Sequence, residues 1–212
     1  MPNTRSPLIC VPDTSSLIHL RDVEIAGRNA RLWLWDEFEV HIGDAIRVEA
    51  ARHADLMRGQ LKRKLLRSVM SLQPDKDRME QGFMEPLNIY LGPLDDLGER
   101  DNCSVALQSV IRNKACQVIF LIDELRIMRT RTGFVKSLFD CYPIGLVWNS
   151  LDFLLYLYLR HKRFLYILAE NAVRTVNARI GGQPEVMEQR LSTYIRQLRC
   201  IDSARSRVPE LW

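Results

Sequence analysis

Leu8-Ile9-Cys10-Val11-Pro12-Asp13-Thr14-Ser15-Ser16-Leu17-Ile18 is an apolar run that stops at a proline and an aspartate, then resumes after three small hydroxyl side chains. Leu8 to Val11 suits a short strand. Thr14, Ser15 and Ser16 are the residue types that cap a helix, because a side-chain oxygen there accepts from amides that the first turn leaves unpaired. The stretch therefore reads as strand, polar turn and helix. It leaves Asp13 at the carboxyl end of a strand, where open α/β sheets carry their ligand sites.

Working outward, Cys116 to Ile122 is the strongest strand in the chain. It is continuously apolar apart from Gln117, as a strand buried on both faces should be. It ends at Asp123 and Glu124. Glu39 to Ile42 alternates polar and apolar and is broken by Gly43; from there a helix is expected with Asp44 as N-cap. Leu87 to Leu91 and Ile144 to Trp148 read as further strands, Gln73 to Gly82 as a loop, and Glu99 to Lys114 as a helix with an apolar stripe at Val105, Ala106, Val110 and Ile111. For Arg31 to Phe38 periodicity does not decide between strand and helix. From Leu151 onward the pattern is helical: one helix over Phe153 to Ile180, a break at Gly181-Gly182-Gln183-Pro184, and a second from Glu185 to Ile201. Alternating strands and helices predict an α/β domain over residues 1–150, with a parallel sheet covered on both faces. Residues 151–212 read as a C-terminal helical extension.

Composition narrows the class. The 212 residues carry 30 basic and 26 acidic side chains, and 24 of the basic ones are Arg, whose planar fork pairs bidentately with phosphate or carboxylate. A net charge of +4 is too small to imply nucleic-acid binding by itself. Arg58 to Arg67 is a basic amphipathic helix, read either as a solvated face over a leucine stripe or as a phosphate-contacting face. The five cysteines, Cys10, Cys103, Cys116, Cys141 and Cys200, include no Cys-x-x-Cys pair and fit neither a disulfide framework nor a zinc site. Leu8 to Pro12 is far too short for a signal-peptide core. Ile144 to Leu159 carries Asn149 and Asp152 and falls short of the ~20 residues of a spanning helix. A soluble, cytoplasmic protein without a membrane segment is the expectation.

Four acidic positions recur in related settings: Asp13 and Asp123 at strand ends, Glu49 in a helix after a strand, and Asp101 in the first turn of a helix. A parallel sheet would set the first two on one rim. Carboxylates held close repel, and a proton or a shared cation relieves them. Mg²⁺ or Mn²⁺ takes one or two carboxylates and leaves positions for water and phosphate, which points to phosphodiester hydrolysis by a metal-activated water. Against this stands the capping reading of Asp13 and Asp101, each of which can simply close a helix end.

The residues resemble those of PIN domains. Leu8 to Ile18 is similar to that family's opening, and Val40-His41-Ile42-Gly43-Asp44-Ala45-Ile46-Arg47-Val48-Glu49 to its strand, turn and helix ending in Glu, with Gly43 where Pro is usual. Gly98-Glu99-Arg100-Asp101 resembles the Gly-Glu-x-Glu helix start of one subgroup, and Val118 to Arg126 its apolar strand ending in acids and a basic residue. The likeness spans roughly Pro7 to Trp148. It implies a three-layer α/β/α fold and a Mg²⁺- or Mn²⁺-dependent endoribonuclease, as in many toxins of toxin-antitoxin pairs. It also implies that Asp13, Asp101 and Asp123 bind metal with Glu49 completing the cluster, that Glu124 is the alternative to Asp123, and that Ser15 and Arg126 support the site and its substrate. RNA, an antitoxin or other protein partner, and a second copy in a homodimer are the partners implied.

Other chemistries fit less well. A haloacid-dehalogenase-type phosphatase needs a second Asp two residues after the first, and that position is Ser15. His19, His41, His53 and His161 show no metal spacing. The aromatic run Phe153, Tyr156, Tyr158, Phe164 and Tyr166 reads as core or partner-binding helix before base-stacking platform. The competing functional class is a PIN-shaped binding or adaptor module, catalytically inactive, that works through its helical tail.

Overall fold

The computed structural model describes residues 8–70, 76–91, 96–112, 117–124 and 133–208. Its elements run β1 (Leu8–Pro12), α1 (Thr14–His19), β2 (Glu24–Ile25), β3 (Arg28–Asn29), α2 (Ala30–Glu37), β4 (Glu39–Val40), α3 (Asp44–Ala50), α4 (Gly59–Arg67) and α5 (Lys76–Met79). A π-turn at Glu80–Met84 leads into α6 (Glu85–Leu91). Then come α7 (Leu97–Arg112), β5 (Gln117–Leu121), α8 (Phe134–Cys141), β6 (Gly145–Trp148), α9 (Ser150–Arg160), α10 (Tyr166–Ile180) and α11 (Pro184–Arg207).

The architecture is α/β, a four-stranded parallel sheet of order β4-β1-β5-β6 flanked by helices. The most apolar strands are central. Residues 8–12 of β1 pair one for one with residues 117–121 of β5, and Ile9 and Cys10 face Glu39 and Val40 on the other side. Ile9, Val11, Val118, Phe120 and Ile122 project to one face and pack with Cys103, Ala106 and Leu107 of α7 and with Phe134, Val135, Leu138 and Phe139 of α8. Phe120 meets Phe139 edge to face at 5.7 Å, and burying a ring of that size is worth about 2–3 kcal/mol. β6 approaches so closely that a Cβ on Gly145 would lie 1.8 Å from the Val118 carbonyl oxygen.

The chain divides into two compact units, residues 1–18 with 34–147, and residues 19–33 with 148–212. In the second unit Asn149 caps α9, accepting from the Leu151 and Asp152 amides while Asp152 accepts back from the Asn149 amide. Tyr194 of α11 closes the corner, accepting from Asn149 Nδ2 at 2.7 Å and donating to Asp152 at 2.8 Å. The α10–α11 turn is held by Arg190, which donates to the carbonyls of Asn177 and Gly181 at 3.0 and 2.7 Å. Residues 19–33 form the β2–β3 hairpin, whose turn places both Ala26 and Gly27 at positive φ, 52° and 75°, as a two-residue hairpin turn of the primed kind requires. Arg179 of α10 donates to the His19 carbonyl at 3.2 Å and pairs with Asp22.

Several expectations are corrected. Leu87 to Leu91 is not a strand: residues 76–91 form one helical stretch, which also replaces much of the expected loop over 73–82. Pro86 has no N–H for the Gly82 carbonyl four residues back, and the wider π-turn falls at that point. Arg31 to Phe38, whose periodicity fits strand or helix, lies mostly in α2. The helix over 153–180 is two helices. His161 to Leu165 interrupts it with neither Gly nor Pro, because Arg205, stacked 4.2 Å over Tyr158, satisfies the freed carbonyls of Lys162 and Phe164 at 3.0 and 3.2 Å. Asp44 is the first helical residue of α3, and Gly43 occupies the cap position. The start of the expected Cys116 to Ile122 strand and the end of the expected Glu99 to Lys114 helix lie outside the described residues.

Candidate functional site

The carboxyl ends of β1 and β5 are tied together by the Asp13 amide, which donates to the Leu121 carbonyl at 2.8 Å. Asp13 and Asp123, two residues beyond β5, thus share one rim of the sheet. The Asp13 carboxylate accepts from both the amide and the hydroxyl of Ser15, at 3.0 and 2.5 Å, so the expected support from Ser15 takes the form of holding Asp13. Next to it the buried Thr14 donates its hydroxyl to Glu49 at 3.0 Å, linking the β1–α1 turn to α3.

The acid that α7 brings to this rim is Glu99. Asp96 caps the helix, accepting from the Gly98 and Glu99 amides at 2.8 and 3.2 Å. A Cβ on Gly98 would lie 3.3 Å from Ile46 Cδ1 and 3.7 Å from Glu49 Oε2, so the start of α7 sits close against α3. Glu99 is 3% exposed, and its Oε2 is buried without a hydrogen-bond partner. Burial, the adjoining Glu124 carboxyl, and the charges of Glu124, Asp96 and Asp13 push its pKa up to about 8. Asp13 is also raised, first by burial and then by Glu49, against the lowering effect of the Ser15 bonds. Asp13, Glu49, Asp96, Glu99 and Glu124 are therefore one electrostatically coupled group. Of the two acids after β5, Glu124 adjoins Glu99, and Asp123 is buried beside the strand end.

Asp101, expected among the metal ligands, is placed against the start of α3. Its carboxylate accepts the Ala45 amide of α3 at 2.8 Å and lies so close to Gly43 that a Cβ there would be 2.1 Å from Oδ2. It closes the start of α3, and the cluster's acid from α7 is Glu99. Thr14 and Asp96 were likewise missed. Arg126, with Arg129 and Arg131, lies outside the described residues.

Elsewhere, α4 buries Leu61 and Leu65 and exposes Arg63 and Arg67, which with Gln60 and Lys64 line a groove of about 330 Å³; Lys64 also pairs with Asp36 at 3.7 Å. His41 bridges Ser109 and Glu39 at 2.8 and 3.0 Å, in the order of a serine triad. Ser109, however, is buried within α7 and reaches the Val105 carbonyl, so it is closed to substrate. Phe153, Tyr158 and Phe164 are core residues of the second unit and present no stacking platform. Among the described residues no helix is long and apolar enough to cross a membrane.

The donor set is suited in kind to a hard cation: every ligand atom on the rim is a carboxylate oxygen, and one buried oxygen lacks any partner. Among the described residues, as they stand, no group of three or more His, Cys, Asp or Glu converges tightly enough to hold a metal. Neither a protein-family model, a curated protein nor a solved structure matches the chain.

Proposed function

We propose that the α/β unit is a Mg²⁺- or Mn²⁺-dependent endoribonuclease of PIN-like, three-layer α/β/α type. The observation that carries it is the unpartnered buried oxygen of Glu99, set among Asp13, Glu49 and Glu124 at the carboxyl end of a parallel sheet. Structural carboxylates in a core are paired or absent, since a buried carboxylate without a partner opposes folding. A group that accumulates them is relieved by a proton or by a shared cation. Asp13, Glu99 and Glu124, which do not converge on one point as they stand, would draw together around the ion to hold it, with Glu49 and Asp123 adjoining it. When bound, it would supply a water acidic enough to attack at neutral pH and would neutralise the phosphodiester. Ser15 and Thr14 keep Asp13 and Glu49 oriented, and RNA as substrate follows from the resemblance of the motifs to PIN domains.

The test is cleavage of labelled single-stranded and structured RNAs in Mn²⁺, Mg²⁺ or EDTA, by the parent chain, Asp13→Asn and Glu99→Gln. Metal-dependent cleavage that falls at least ~100-fold in both variants, each still folded by circular dichroism, is expected. No cleavage in any metal, together with no rise in melting temperature on adding Mn²⁺, would leave the adaptor-module reading in its place.

A further inference from the structure

The stretch that joins α9 to α10, Arg160-His161-Lys162-Arg163-Phe164-Leu165-Tyr166-Ile167-Leu168, lies wholly within the second unit and takes no part in the acidic cluster. Its rings and its aliphatic side chains are placed differently. Phe164 is buried edge to face against the buried Tyr158 at 5.9 Å, whereas Leu165, Ile167 and Leu168 are 58%, 60% and 43% exposed. Folding does not account for that exposure. Leu165 holds the N-cap position of α10, where Ser, Thr, Asp or Asn would accept from first-turn amides, and no side chain caps that end. The turn that presents it is fixed, since Arg205 stacks over Tyr158 and donates to the carbonyls of Lys162 and Phe164. Unpaired charge here has one sign. From residue 153 to residue 169 the charged side chains are Arg160, Lys162 and Arg163, and of these Lys162 and Arg163 are exposed without a carboxylate partner among the described residues. The neighbouring acids are engaged, Glu170 by Arg174 at 2.6 Å and Asp202 by the Tyr158 hydroxyl.

We propose that this turn docks the protein onto an anionic lipid surface, with Leu165, Ile167 and Leu168 entering the acyl boundary and Lys162 and Arg163 lying among the lipid phosphates. Exposed aliphatic side chains flanked by cations suit a bilayer, which takes up branched hydrocarbon directly beneath a layer of negative charge. They suit RNA poorly. The Tyr158 and Phe164 rings, which could have stacked on bases, are buried, Tyr166 packs edge-on to Tyr158 at 6.4 Å, and an aliphatic chain offers a base no π-face. The attachment lies in the plane of the interface and needs no spanning helix. Three partly exposed side chains and two unpaired cations make it reversible and sensitive to salt. Docking of this kind does not depend on the chemistry of the acidic cluster.

The test is co-sedimentation of the full chain with vesicles of phosphatidylcholine alone and of phosphatidylcholine with phosphatidylglycerol. The side chains to be changed are exposed, so the double variants Leu165→Ser with Ile167→Ser and Lys162→Ala with Arg163→Ala leave the core untouched, which circular dichroism checks. A third variant, Ile167→Trp, reports insertion through quenching of its fluorescence by lipids with brominated acyl chains, read against the parent. Expected are binding to the anionic vesicles and not to the neutral ones, a roughly five-fold loss of affinity for each cation removed, and a loss of about ten-fold or more for the aliphatic pair. Ile167→Trp should be quenched more strongly than the parent. Binding that falls with the cations but is unchanged by the aliphatic pair, with no added quenching, would overturn the proposal and leave a basic patch that inserts nothing. Absence of binding to either vesicle would overturn it as well, and single-stranded RNA binding that weakens on Lys162→Ala with Arg163→Ala would then assign the surface to nucleic acid.

Discussion

Glu99 stands out at the scale of single residues because its buried carboxyl lies among the carboxyls of Glu124, Asp96 and Asp13. Its ordinary pKa is 4.5 and the folded protein raises it to about 8, so between those values the native chain holds a proton that the unfolded chain has lost. Stability therefore falls as pH rises through that interval, and the shift of Asp13 acts in the same direction. In EDTA the melting temperature is expected to drop by roughly 5 °C between pH 5 and pH 8, and Glu99→Gln, which cannot ionise, should flatten the slope. A melting temperature that rises over the same range in the parent chain would mean that the carboxyl is not buried as described. Asp13 and Glu49 were legible in the sequence because a strand end and a helix after a strand fix where they lie. The choice on α7 was not. Residues two apart on a helix point about 200° apart, so Glu99 and Asp101 cannot both face the rim, and nothing in their spacing says which does.

Asp101 belongs to the scale of elements, since its carboxylate fastens one helix to the start of another. The contact with the Ala45 amide and the tight fit against Gly43 explain why glycine stands where the resemblance would put proline: proline's ring would meet the same carboxylate as any Cβ, 2.1 Å from Oδ2. Asp101→Ala should lose about 1–2 kcal/mol in urea unfolding, as for a lost helix cap. Asp101→Asn keeps an amide oxygen that can accept from Ala45, so it should retain cleavage within a few fold of the parent. Cleavage abolished by Asp101→Asn in a protein of unchanged stability would return that residue to the metal-binding set. Among elements, the two central strands were readable because burial on both faces leaves an unbroken apolar run. Leu87 to Leu91 differs from the expected strand for a related reason: a five-residue run with one polar position, Asn88, carries too little period to separate strand from helix, and the helical stretch before it includes a proline. The break between α9 and α10 left no local signal, because the residue that permits it, Arg205, lies some forty positions further on.

At the scale of the whole chain, reading from one end to the other separates a domain from a tail, but the second compact unit takes in residues 19–33 as well as 148–212. Long-range pairings of this sort have no period and no composition boundary to announce them. Arg179 binds the His19 carbonyl and Asp22, and the Trp33 and His161 rings lie 4.3 Å apart, so the hairpin region is held by side chains far along the chain. The consequence bears on the simplest way of asking what the helical region does, which is to delete it. A chain ending at residue 150 would leave residues 19–33 without these contacts, and loss of function in it would not by itself indict a lost partner surface. Arg31, 8% exposed in the full chain, is the sensor: limited trypsin digestion should spare it in the parent and cut there early in the shortened chain, while Arg179→Ala in the full-length protein should raise the cutting rate to an intermediate value. Protection of Arg31 in the shortened chain, with a single cooperative unfolding transition, would show instead that residues 1–150 fold as a unit of their own.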